Sequence, residues 1–112
     1  MNFEKLDVEL PTVSWRARML EGDDIFTEEG LVESEIALLS FVKEIKSLEN
    51  QKETEVLEKV KEVVIKFNEI NEKFEFFIET MEREELYEFI DNIAREAGLN
   101  TDQDITEEWR EW

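Results

Sequence analysis

Between Val56 and Met81 the apolar residues fall at Val56, Val60, Val63, Phe67, Ile70, Phe74, Phe77 and Met81, in steps that alternate four and three. That is the spacing of one stripe along an α-helix with heptad regularity. Leu57, Val64 and Ile78 widen the stripe on one side, and Asn71 interrupts that second row. The opposite face carries Lys59, Lys61, Glu62, Lys66, Glu69, Glu72, Lys73 and Glu75, which water can hold. A stripe this wide has to be covered, either by other helices of the chain or by a second copy. Phe67, Phe74 and Phe77 are bulky for a two-stranded coiled coil, where Leu, Ile and Val are preferred, so the stripe reads as the core of a bundle.

The segments on either side supply the cover. Thr27 followed by Glu28 and Glu29 starts a helix, with an N-cap oxygen and then acids where the macrodipole favours them, although Gly30 is a flaw in its first turn. Leu31, Ile36, Leu38, Leu39, Phe41, Val42, Ile45 and Leu48 cover more than half of that helix, which predicts a position between neighbours. The polar run 49–54 is the turn into the long helix, capped by Asn50 or Thr54, and its shortness makes the two helices antiparallel. After Thr80 the apolar set shifts to Leu86, Phe89, Ile90, Ile93 and Ala97, and Gly98 followed by Leu99 marks a helix end.

Two segments are harder to read. Leu6, Val8 and Leu10 alternate with acids as a short strand would, and Pro11 then breaks the element. Residues 12–22 fit either a strand paired with 3–10 or a short helix capped by Thr12 and closed by Gly22, and the helix is favoured. The expected fold is therefore mainly α: a single domain over 1–112, built as a small antiparallel bundle of about four helices, with an N-terminal segment open to two readings. Helices are expected near 28–49, 54–80 and 83–97, with a short one near 105–111. The expected core is Val60, Val63, Phe67, Ile70, Phe74 and Phe77 with Leu38, Val42, Ile45, Leu86, Ile90 and Ile93.

Charge narrows the function. The chain carries a formal charge of −18, with eight Phe and three Trp, an aromatic content that separates it from disordered acidic chains. Residues 1–35 hold ten acids and three bases, and 82–112 hold eleven and three, while 36–81 hold ten and seven. Both ends are acidic and the middle is nearly balanced. Such a surface repels nucleic acid and anionic lipid and attracts a basic protein partner. The absence of cysteine makes a reducing cytoplasm the default compartment, and no apolar run approaches membrane-spanning length.

Chemistry is poorly served. Without histidine or cysteine the sequence offers no imidazole base, thiolate nucleophile or soft zinc site, and glycines at 22, 30 and 98 make no phosphate loop. We therefore expect no enzyme activity, no cofactor and no metal site. Asn100, Asp102, Asp104, Glu108 and Glu111 fall at calcium-loop spacings, but Ile105 stands where such a loop needs glycine and Glu107 where it needs an apolar residue. The better reading of that stretch is a terminal helix capped by Asp104.

These features favour a non-enzymatic acidic helical protein that covers or inhibits a basic partner. In size and composition it resembles the small acidic helical immunity proteins of bacterial toxins, with no shared motif to carry membership. The expected binding residues are Asp23, Asp24, Glu28, Glu29, Asp102, Asp104, Glu107 and Glu108, gathered into one surface if both chain ends lie on one side of the long helix. Trp112, with no residue after it to bury it, is the expected apolar anchor, helped by Trp109, whereas Trp15 closes one end of the core. The alternative is a scaffolding module that homodimerises through the long amphipathic helix.

Overall fold

The computed structural model describes residues 10–48, 52–101 and 103–112, and among these every regular element is an α-helix. The order is α1 (Pro11–Leu20), α2 (Glu28–Lys46), α3 (Glu53–Lys73) and α4 (Thr80–Glu96). The strand expected around Leu6 and Val8 lies outside the described residues, as does the Asn50 cap.

Residues 12–22 resolve to helix. Pro11 opens α1 instead of breaking an element, because a residue at the first helical position has no use for its N–H. Thr12 is a buried residue within the helix and not its cap. Gly22 closes α1 at φ 110°, with the Gly22 N–H on the Met19 carbonyl and the Asp23 N–H on the Arg18 carbonyl. That two-bond closure uses the left-handed conformation that glycine adopts freely. Gly98 (φ 103°) repeats it at the end of α4, where Leu99 donates to the Ala94 carbonyl and folds back into the core.

Thr27 caps α2 as its sequence predicts, its Oγ1 accepting from Gly30 N at 3.0 Å. Gly30 is no flaw. A Cβ there would stand 3.0 Å from Thr27 Oγ1 and 3.2 Å from the Phe74 ring, so the glycine admits the end of α3 against the start of α2. The cap of α3 is Lys52, with Thr54 already inside the helix, and the cap of α4 is Glu79.

The long helix is shorter than its stripe. It ends at Lys73, not near residue 80, and Glu75 and Phe76 both take left-handed conformations (φ 64° and 59°). Asn71 holds this reversal: its carbonyl accepts the Phe76 N–H at 2.7 Å and its buried side-chain Oδ1 accepts the Ile78 N–H at 2.9 Å. The heptad spacing continues past the break because Phe77 and Ile78 still point inward, now from a turn. Met81, the last residue of the stripe, is exposed. A glycine at the first left-handed position would carry no Cβ penalty, so Glu75→Gly should raise stability by about 1 kcal/mol in thermal or denaturant unfolding.

The core follows expectation, with Phe74 and Val42 half-buried and the other ten expected residues buried. Trp15 is wholly buried in a three-ring cluster, 5.7 Å from Phe77 and 6.3 Å from Phe26, and its Nε1 donates to Glu85. Arg18 ties α1 to α4 through Glu82 and Glu85, with hydrogen bonds of 2.7–2.8 Å. The bond to Glu85 holds the Arg18 guanidinium above its ordinary pKa against the opposing pull of burial. α2 departs from expectation on one side: Val32, Ile36 and Leu39 face solvent, so this helix is not enclosed all round.

Candidate functional site

The expected acidic residues occupy the two ends of the bundle, not one surface. Asp23 and Asp24 sit on the turn after α1, and Glu28 and Glu29 in the first turn of α2, all exposed. This group lies at the C-terminal end of α3, since Phe26 packs on Phe77 (6.0 Å between ring centroids) and Gly30 on Phe74. The C-terminal group lies elsewhere. Asp104, Glu107, Glu108 and Trp109 line an open groove of about 1040 Å³ whose other wall is the start of α3, from Glu53 to Lys61. Lys61, the last α3 residue on that groove, precedes the helix end at Lys73 by about 18 Å at 1.5 Å per residue, which separates the two groups. Asp102 lies outside the described residues.

The C-terminal segment forms turns over 105–109 instead of a helix. Asp104 makes the expected cap bond, its Oδ1 accepting from the Thr106 N–H (2.8 Å) and hydroxyl (2.6 Å) and its Oδ2 from Arg110 (2.8 Å), but only a single turn follows it. Burial raises the Asp104 pKa, but the bonds from Thr106 and Arg110 outweigh it and hold the carboxyl below its ordinary value. With both oxygens engaged inside the segment, Asp104 acts as a structural brace.

Trp112 is not an exposed anchor. It is buried, its Nε1 donates to the Val64 carbonyl at 3.4 Å, and Arg110 lies 5.6 Å from the ring centroid. Asn68 docks the same stretch, donating to the Trp109 carbonyl (2.8 Å) and accepting the Glu111 N–H (2.9 Å). α3 runs beneath Trp112 and buries it beside Val64. Trp109 is half-buried on the same seam.

The exposed aromatic at the acidic end is Phe76. Its ring is 63% exposed, unusual for phenylalanine, and the paired left-handed residues turn it outward while Phe74 and Phe77 turn in. Leu20 at the end of α1 and Met81 in the first turn of α4 are also exposed at this end, where Arg18 bridges to Glu82. Glu75 and Glu79 are exposed in the same connection between α3 and α4. Glu28 is paired with Arg16; Asp23 accepts the Ile25 N–H within its own turn. Phe76 falls off the four-three spacing, and an aromatic beside an unbroken stripe is the sequence signal that marks it.

Other openings lie along the helices. A groove of about 410 Å³ between α2 and α3 is floored by Ala37, Phe41 and Val63. Among the described residues no group of three or more acids has metal-holding geometry, and no helix is long and apolar enough to cross a membrane. No protein-family model matches the sequence, and no curated protein or solved structure matches it significantly.

Proposed function

We propose that this chain is a non-enzymatic acidic binding protein of the cytoplasm that covers a basic protein surface and blocks it by occlusion. The observation that carries the reading is Phe76, an exposed aromatic presented on a left-handed turn at an end of the bundle crowded with exposed acids. Holding two non-glycine residues left-handed costs about 1–2 kcal/mol each, and leaving a phenylalanine in water forgoes burial worth about 1.5–3 kcal/mol. A partner that buries the ring recovers the second quantity. Asp23, Asp24, Glu28, Glu29, Glu75 and Glu79 around it would steer a basic surface into register, and aromatic residues are frequent centres of binding energy. Glu107 and Glu108, at the other end, belong to a second acidic face with Trp109 half-buried beside it, and contribute only to the overall field.

The test is capture of proteins from the source cell on the immobilised native chain and on two variants, followed by rate measurements on whatever basic protein is retained. Phe76→Ala should raise the off-rate about tenfold or more, as loss of a central aromatic does. Reversal of Asp23, Asp24, Glu28 and Glu29 to lysine should slow association and flatten its salt dependence. A partner held equally by the native chain and both variants would place the binding surface elsewhere. One lost on reversal of Glu107 and Glu108 instead would move it to the opposite end.

A further inference from the structure

The outward face of α2 reads Glu29, Val32, Ile36, Leu39 and Lys43, in steps of three, four, three and four. This is a second seam with heptad spacing, and no described element of the chain covers it. Val32, Ile36 and Leu39 are 41, 58 and 50% exposed, and Glu29 and Lys43 are exposed at the two ends. An apolar seam of this kind on a regular helix is the surface that a second helix packs against.

The order of charges along the seam says which helix fits. Glu29 stands seven residues before Ile36, and Lys43 seven residues after it. Turning the seam end over end about Ile36 therefore brings an acid onto a base at each end. A two-fold axis through Ile36 would set Glu29 of each copy beside Lys43 of the other, and the apolar residues against each other between the two pairs. Two-fold interfaces are self-complementary in this sense, with each contact made twice. A parallel arrangement would instead put acid on acid and base on base.

We infer that two copies of this chain associate antiparallel through the outward face of α2, with Ile36 at the axis. The seam shares Glu29 with the acidic end proposed above, but its apolar residues Val32, Ile36 and Leu39 and its base Lys43 are no part of that end, so the inference does not rest on it. One helix face is smaller than the roughly 800 Å² per partner of a standard interface, so the dimer is weak and dissociates on dilution. The charge of −18 on each copy opposes association at low salt, and an ionic strength that shortens the Debye length to about 8 Å relieves it.

Sedimentation equilibrium of the full chain over a wide dilution series, at physiological ionic strength, tests the inference. The native chain should pass from monomer to dimer with rising concentration. Ile36→Glu should remain monomeric with unchanged helical circular dichroism, because the position is exposed in the monomer. Glu29→Lys and Lys43→Glu should each weaken the dimer about tenfold, since the axis counts every change twice. The double variant carrying both reversals should restore native association, because acid and base again face each other. A native chain that stays monomeric throughout overturns the inference, as does a dimer that survives Ile36→Glu. Failure of the double variant to recover overturns the antiparallel register.

Discussion

Phe67→Ala is expected to lower unfolding free energy by about 3–5 kcal/mol, the usual loss when a buried phenylalanine is truncated. Phe67 has no exposed surface and sits on the stripe of α3 between Val63 and Ile70, which are buried with it. The ring is enclosed by several helices, so alanine leaves a cavity that none of them can close without moving the others. Against a total stability of about 5–15 kcal/mol for a domain of this kind, the variant keeps only part of its margin. Denaturant unfolding should show a lower midpoint with an unchanged slope, the mark of lost stability without a changed fold. A midpoint equal to the parent's would mean that the α3 stripe faces solvent at this point, contrary to its burial.

The same stripe shows what sequence could and could not supply. Its spacing identified the core residues of α3, and it also identified Phe77 and Ile78, which are buried from a turn beyond the helix. Hydrophobic period reports which side chains point inward. It does not report the backbone that aims them. The ends of α1 and α4 were legible because Gly22 and Gly98 occupy left-handed positions that other residues enter at a cost. The end of α3 was not, because Glu75 stands in the equivalent position and nothing in its type announces it. Asn71 was visible only as an interruption in an apolar row, and its role needs the two N–H groups that meet it from Phe76 and Ile78.

For the candidate site, residue types were legible and distances were not. Asp23, Asp24, Glu28 and Glu29 are exposed as acids near a turn and a helix start generally are, whereas their separation from Glu107 and Glu108 follows from which end of α3 each segment reaches. The burial of Trp112 follows from its packing on α3 beside Val64, which residue type does not announce. The surplus of apolar residues on α2 carried real information that was read the wrong way. It signalled an unpartnered face at Val32, Ile36 and Leu39 where enclosure by the chain's own helices had been the expectation.

Asn71→Leu should cost about 2–4 kcal/mol, even though leucine matches asparagine in branching and suits a buried position better. The side-chain Oδ1 is the acceptor for the buried Ile78 N–H, and leucine leaves that donor without a partner. An unmet buried donor costs about 1–3 kcal/mol, and the left-handed pair at Glu75 and Phe76 loses one of the two bonds that hold it. Relief of that pair is the larger consequence for function, because the turn can then relax and Phe76 no longer stands out among the acids at this end. Amide exchange at Ile78 should accelerate in the variant far beyond the change at Leu38 or Val60, which lie in the helices. Glu75→Gly, two bonds away in the same motif, should move stability in the opposite direction while leaving the Ile78 amide protected. If Asn71→Leu proves as stable as the parent, with Ile78 still protected, the reversal is held by the packing of Phe74 and Phe77 alone, and the presentation of Phe76 is a by-product of core packing with no separate clamp.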